Sequence, residues 1–393
     1  QATPRFQTVE TPVLADSSAQ PIDVMVLLDD SGSMATCWPW PQDAPPFAPP
    51  CGGASPNLPS DPDELRYSAA RLLLQLADNQ DRVAVVRFDS TAAAVGDLGT
   101  LQPVGDLDNR TRLSASLQPP ADYFLRGYTR IDLGLDEAIR ILAENRVAGR
   151  SQYVLLLTDG EPSQQAGVSD QRPRIGEQLQ QLAADDVLVV PVVLCNPSAG
   201  CSDDFLREQF SESQLKEAKT ASELLRVFTE IVTDMKPDRS ILTGRDSTGA
   251  LNLQIRTGHG AHRLAFVTPR GGLLSVKQDG NPILPQRVLE DPNIDMNLVT
   301  AEQIGPGAWT GNTTDLSGFA VVQAESYPLL LNPPPSLADS PASVRYYPAG
   351  SIPLLIAQGV GPGAGEPLYY NGEVLMEPFG RSDLRALIPA EAP

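Results

Sequence analysis

The chain has 393 residues, with 49 Asp and Glu against 29 Lys and Arg, for a formal charge of −20. So acidic a balance opposes the phosphate backbone of DNA or RNA and the anionic surface of a membrane. No apolar stretch approaches the ~18 residues that a membrane-spanning helix needs.

Hydrophobic residues make up 41% of the chain, enough for packed cores at this length. At roughly 100–200 residues per domain, two to four domains are expected. Proline, at 37 residues, is close to twice its usual share, while glycine at 31 is ordinary. That combination favours rigid turns and sheet edges in a folded chain. The first residue is Gln1, which leaves a removed leader or a trimmed start as expectations.

Residues 1–19 are polar, lack a helical period and read as an extended segment. Ile22–Leu28 is a short apolar run, the pattern of a strand buried on both faces, and it leads into Asp29-Asp30-Ser31-Gly32-Ser33-Met34. Nine prolines then fall between Cys37 and Pro62, with Trp38, Trp40 and Phe47 among them. This density excludes a helix or a central strand and predicts a stiff inserted loop over 35–62. An amphipathic helix is predicted over 63–78, with Leu65, Ala69, Leu72, Leu73 and Leu76 on one face and Asp61 or Asp63 as its cap.

Arg82–Phe88 reads as a strand, Thr91–Leu98 as an edge strand and 108–118 as a weak helix. A strong helix follows over Arg130–Glu144, then a buried strand over Tyr153–Leu157 that ends in Thr158-Asp159-Gly160-Glu161-Pro162. Helix 173–184, strand Val187–Leu194 and helix Ala221–Met235 complete the alternation. The pattern over 20–236 predicts a Rossmann-like α/β domain with a mostly parallel sheet. Ligands of such sheets bind outside the carboxyl ends of the strands, where both acidic motifs are expected.

The character changes after Lys236-Pro237. Short apolar runs at Leu251–Ile255, Arg263–Val267, Leu273–Val276, Met296–Thr300 and Phe319–Ala324 alternate with turn residues, which predicts an all-β sandwich over 237–328. Residues 329–393 repeat the style beyond a proline-rich joint and read as a second, incomplete β module. There Ser343–Tyr347, Pro353–Ala357, Leu368–Tyr370 and Glu373–Glu377 are predicted strands, and only Asp383–Leu387 keeps a helical period.

The four cysteines form two local pairs. Proximity favours the disulfides Cys37–Cys51 and Cys195–Cys201, and with them an oxidising, extracellular or cell-surface location. Metal binding by these cysteines competes, but neither pair has a CxxC spacing and the two histidines, His259 and His262, lie elsewhere.

Asp29-x-Ser31-x-Ser33 places a carboxylate and two hydroxyls on one tight turn, which Gly32 makes easy. Oxygen-only ligands suit a hard divalent cation, Mg2+ first, with Mn2+ and Ca2+ as alternatives. Thr129, in Gly127-Tyr128-Thr129 just before a helix, and Asp159, at a strand end, would complete the set.

In these three segments the chain resembles the von Willebrand factor A family. DDSGSM at 29–34, GYT at 127–129 and TDG at 158–160 occur in the family's order and at strand ends. The resemblance implies a metal-ion-dependent adhesion site with Asp29, Ser31, Ser33, Thr129 and Asp159 as ligands. In that family the hydroxyls commonly touch the metal, and one or both carboxylates act through water. An open coordination position accepts an Asp or Glu carboxylate from a partner protein. Simple members run from the first motif almost directly into the first helix, so the insertion over 35–62 is a departure. Trp38 and Trp40 within it, with Tyr128 and Glu161, are expected at a partner-binding rim, or the tryptophans merely pack the loop down. Asp30 is expected to be a solvated carboxylate, and Asp132 a helix-start or rim charge.

The β region more loosely resembles the Ig-like sandwich modules that follow such domains in secreted and surface proteins. The segments are Val267-Thr-Pro-Arg-Gly-Gly272 and Ile304-Gly-Pro-Gly-Ala-Trp-Thr310, with Met376-Glu-Pro-Phe-Gly380 repeating the first turn type.

The leading expectation is a non-enzymatic, cation-dependent protein-binding module without nucleic-acid or membrane-inserting function. One alternative is a structural scaffold of a surface assembly that binds through the β modules. A remote one is an Mg2+-dependent phosphohydrolase of haloacid-dehalogenase-like type. It would need a second Asp two residues after Asp29, where Ser31 stands.

Overall fold

A computed structural model describes residues 7–8, 21–34, 60–61, 63–119, 128–162, 170–195, 203–236, 239–243, 249–255, 261–299, 303–304, 307–314, 316–324, 330–332, 354–358, 368–370, 373–379 and 383–387. The insertion over 35–59, including Cys37, Trp38, Trp40 and Cys51, lies outside them, as does Cys201.

After a short first strand, β1 (Gln7–Thr8), the α/β region runs β2 (Ile22–Asp29), α1 (Leu65–Leu76), β3 (Arg82–Phe88), β4 (Ala92–Ala94), β5 (Gln102–Pro103), α2 (Leu107–Ser116), α3 (Ile131–Glu144), β6 (Ser151–Thr158), α4 (Arg172–Ala184), β7 (Val187–Leu194), α5 (Asp204–Gln209), β8 (Lys216–Ala218) and α6 (Ala221–Met235). Its sheet has the order β4-β3-β2-β6-β7-β8, with β5 on β3. β3, β2, β6, β7 and β8 pair in parallel, and β4 and β5 pair antiparallel to β3.

β2 sits at the centre and is buried along its whole length. Its alternation divides two cores. Val24, Val26 and Leu28 join the cluster containing α1 and α6, while Met25 and Leu27 join the one containing α3 and α4. Gly134 lets α3 lie close on β3, since a Cβ there would stand 2.9 Å from the Phe88 ring.

Two five-stranded sheets follow. They are built from β1 together with β9 (Arg239–Leu242), β10 (Leu251–Ile255), β11 (Ala261–Pro269), β12 (Leu273–Gln278), β13 (Asn281–Ile283), β14 (Gln286–Glu290), β15 (Ile294–Val299), β16 (Gly307–Thr313) and β17 (Phe319–Ala324). The orders are β1-β10-β16-β12-β13 and β14-β15-β11-β17-β9. All pairings are antiparallel except β1 on β10, where Gln7 faces Leu253 and Thr8 faces Gln254. The N-terminal segment therefore contributes a strand to the sheets formed after residue 236, and the α/β region is inserted between β1 and β9.

The sandwich shares a core with the α/β region. Leu264, Phe266, Ala320 and Val322 point into the sandwich interior with Leu253 and Trp309. The alternate residues Ala265, Val267, Phe319 and Val321 belong to the same cluster as α1 and α6. The second sheet is thus covered on both faces. Burying one side chain such as Phe319 is worth about 1.5–3 kcal/mol.

Polar contacts close the seam. Asp291, buried in the turn between β14 and β15, accepts from Ser68 Oγ at 2.6 Å and from Arg71 Nη1 at 2.5 Å. Asn293 donates to the Asp63 carbonyl at 2.7 Å.

Sheet and sandwich together enclose α1, and only Arg71 of its twelve residues is not buried. This corrects the amphipathic reading, which placed one face of the helix toward solvent. The helix also starts later than predicted, at Leu65. Asp61 caps it, accepting from Leu65 N at 2.7 Å and Arg66 N at 3.2 Å.

A third sheet has the order β18-β19-β22-β21-β20, from β18 (Leu330–Asn332), β19 (Leu354–Gln358), β20 (Leu368–Tyr370), β21 (Glu373–Phe379) and β22 (Asp383–Leu387). The last segment, expected to be helical, is instead a strand antiparallel to β19. Its apolar residues Leu384 and Leu387 also fit a helical spacing, and ladder pairing decides for the strand. Predicted strand 343–347 lies outside the described residues.

Candidate metal centre

The carboxyl ends of β2 and β6 are adjacent, because Leu28 pairs with Leu157. The next residues along the strands are Asp29 and Thr158, followed by Asp159. Asp29 is fully buried and Asp159 is 7% exposed.

Asp29 Oδ1 accepts from Ser31 N at 2.9 Å, which folds the turn back onto the carboxylate. Its Oδ2 accepts from Thr158 Oγ1 at 2.6 Å. Ser31 and Ser33 hydroxyls lie 3.0 Å apart. Ser33 hydrogen-bonds to Asp159.

Four of the five predicted ligands therefore meet in one hydrogen-bonded group. Thr129 is held at the same sheet edge and is 3% exposed. Its carbonyl accepts from Gln171 Nε2 at 2.8 Å, and the next amide, Arg130 N, donates to Asp89 O at 3.1 Å in the turn after β3.

The electrostatics of the group are unbalanced. Burial first, and then the charge of Asp159, raise the Asp29 carboxyl to about 7, while hydrogen bonds from Ser31 and Thr158 pull the other way. Burial also raises Asp159, partly offset by hydrogen bonds from Ser33 and Ser60. Among the described residues neither carboxylate forms an ion pair with Arg or Lys. Two buried, adjacent carboxylates with hydroxyl neighbours and no cationic side chain fit a bound divalent cation, which supplies the missing positive charge. Among the described residues no group of three or more His, Cys, Asp or Glu is placed to hold a metal, so this site would depend on its hydroxyls.

Asp30 differs from its expected role. It is 2% exposed and sits under α1. Tyr67 Oη donates to it at 2.9 Å, Arg66 Nε at 3.2 Å, and Arg87 Nε stands 3.8 Å away. The sequence reading counted only the apolar positions of α1 and so missed that Arg66 and Tyr67 face this carboxylate. Burial, followed by the charge of Asp30, pushes the Tyr67 hydroxyl far up.

Asp132 does lie in the first turn of α3, but it is buried rather than at a rim, with Arg130 at 2.7 Å and Arg174 at 3.4 Å. Of the predicted rim, Tyr128 is 39% exposed, and Glu161 accepts from Phe205 N at 3.2 Å. Trp38 and Trp40 lie outside the described residues. Cys195 is buried and disulfide-bonded, but Cys201, its expected partner, is not described, and neither is the Cys37–Cys51 pair.

Sequence reasoning missed two hydroxyls. In the sequence Thr158 is only the first residue of TDG; the parallel register of β2 and β6 puts it beside Asp29. Ser60 returns from the far end of the insertion. Its amide donates to Ser33 O at 2.8 Å and its hydroxyl to Asp159 Oδ2 at 3.1 Å.

Residues 23–194 match the family model described as the von Willebrand factor type A domain. The chain thus carries a von Willebrand factor type A domain, with a central, mostly parallel sheet flanked by helices. No curated protein matches the chain.

Similar solved structures include the conserved hypothetical protein BatB from Bacteroides thetaiotaomicron, at 14% identity and TM-score 0.37, covering 55% of this chain and 98% of that one. A von Willebrand factor type A protein from Catenulispora acidiphila has 14% identity and TM-score 0.38, covering 87% of this chain and 63% of that one. A manganese-loaded TRAP protein from Plasmodium vivax has 19% identity and TM-score 0.34, covering 56% of this chain and 73% of that one. The match thus spans less than two thirds of the Catenulispora protein's length.

Proposed function

We propose that this chain is an extracytoplasmic protein-binding module whose von Willebrand factor type A domain works through a divalent cation, Mg2+ in the first instance. The observation that carries the reading is the pair of buried carboxylates, Asp29 and Asp159, with no cationic side chain on either among the described residues. Asp29, Ser31, Ser33, Thr129 and Asp159 would hold the cation.

When bound, the cation supplies a Lewis-acidic position for an incoming carboxylate. The chain's own residues do the rest. Thr158 and Ser31 N fix the Asp29 carboxylate, while Ser33 and Ser60 fix that of Asp159. A protein of charge −20 repels other acidic proteins at close range, so a cation at this edge is a physical route to an Asp or Glu on a partner. Tyr128, exposed beside Thr129, would form part of the rim. The non-enzymatic reading rests on Ser31, which stands where a phosphohydrolase would need its second acid.

The deciding experiment is a pull-down from surface proteins in Mg2+ and in EDTA. Capture in Mg2+, with loss in EDTA and in Asp159→Ala, is expected. Capture unchanged by EDTA would sink the mechanism. Capture lost on mutating the β strands after residue 239 but kept in Asp29→Ala would favour the scaffold reading instead.

A further inference from the structure

The insertion after the first motif ends on the metal centre, and this closure has a chemical consequence. Ser60 is its return point. Its amide binds the carbonyl of Ser33 at 2.8 Å, and its hydroxyl binds Asp159 Oδ2 at 3.1 Å. The next residue, Asp61, is spent on α1, where it caps the helix and pairs with Arg66 Nη1 at 2.7 Å. Ser60 is thus fixed from both sides: toward Ser33 by its backbone and toward α1 through its neighbour. The fixed hydroxyl meets a carboxylate that is buried and has no Arg or Lys partner among the described residues.

We infer that Ser60 is a positioning residue for the cation, acting through Asp159. Ser33 and Ser60 both hydrogen-bond to that carboxylate. Two donors on one carboxylate restrict its rotation and leave its remaining lone pairs aimed in a set direction. Removing such an outer partner of a metal-binding carboxylate commonly weakens metal affinity about 10–100-fold. The cation affinity of this chain would therefore depend on the far end of its own insertion as well as on the three motifs.

The inference rests on the proposed cation site, and the experiment separates the two. Mn2+ alone would be titrated calorimetrically into the full chain and its Ser60→Ala, Ser60→Thr and Asp159→Ala variants, with melting followed in EDTA. The backbone bond from residue 60 to Ser33 survives in Ser60→Ala, so its melting temperature in EDTA should match the parent. Its Mn2+ affinity should fall about tenfold or more. Ser60→Thr, which keeps the hydroxyl, should bind close to the parent. Parental affinity in Ser60→Ala, with binding lost in Asp159→Ala, overturns the role of Ser60 and leaves the cation site standing. A melting loss in EDTA that accounts for the weaker binding reduces Ser60 to a structural residue and also overturns it. Absence of Mn2+ binding in the parent overturns the cation site and this inference together.

Discussion

The two ends of the α/β sheet treat buried carboxylates in opposite ways. At the amino end Asp23 is met by Arg82 at 2.6 Å and Arg150 at 2.6 Å. Burial alone would raise its pKa, but the hydrogen bonds and charges of the two arginines hold it below the usual range. Asp81, also at that end, takes Ile22 N at 2.9 Å and the buried Lys236 Nζ at 2.7 Å on a single oxygen. At the carboxyl end Asp29 and Asp159 receive only hydroxyls and amides among the described residues. Even there, Asp30 has Arg66. Among the described residues, the fold supplies cations to the other buried aspartates and gives none to the pair at the motif. That contrast supports the proposed cation site better than acidity does, since acidic residues occur throughout the chain.

The largest test of the contrast is at the amino end. Lys236→Ala leaves Asp81 and Asp78 without their buried cation and should cost about 3–5 kcal/mol in urea unfolding. Cation affinity should not change, and a shift in Mn2+ binding would show that the two ends are coupled.

A smaller effect is expected at the seam. Asp291→Ala removes the acceptor for Ser68 and Arg71 and should destabilise the chain by about 1–3 kcal/mol, less than a fully buried pair because Arg71 also reaches the Leu117 carbonyl. A single cooperative transition is expected to persist, since Phe319 and Val321 keep the shared core. Separation into two transitions would break the picture of one continuous core.

Per pH unit, the smallest effect is a pH slope. In the folded, metal-free chain the Asp29 carboxyl is raised from 3.8 to about 7, so the folded state binds more protons than the unfolded state between those values. Stability in EDTA should therefore fall as pH rises through that window, by at most about 1.4 kcal/mol per pH unit for one proton. Asp29→Asn should flatten the slope, as should saturating Mn2+. A slope in EDTA that Asp29→Asn leaves unchanged would mean that burial and the charge of Asp159 do not raise this carboxyl.

Much of this was legible in the sequence because the signals were local. Strands Arg82–Phe88, Val187–Leu194 and Leu251–Ile255 and helix Ala221–Met235 have the bounds their apolar periods predict. The five candidate ligands stand out because two motifs fall at strand ends and the third falls just before a helix. What was missed depends on contacts across long stretches of chain. Ser60 meets Asp159 across 99 positions, with no local pattern to announce it. Gln7–Thr8 pair with residues 253 and 254 through backbone groups alone, which any polar segment could offer. The shared core left one clue: Leu264-Ala-Phe-Val267 has no polar alternate, as expected of a strand covered on both faces.

The strand Gln7–Thr8 has a mechanical consequence. Because it lies beside β10, tension applied between residue 7 and the sandwich passes directly between neighbouring strands and bypasses the α/β domain. Two paired residues make a weak clasp. Once it slips, the load shifts to Ile22 and Lys236, both tied to Asp81. That load enters at the amino end of the α/β sheet, opposite the edge that carries Asp29 and Asp159.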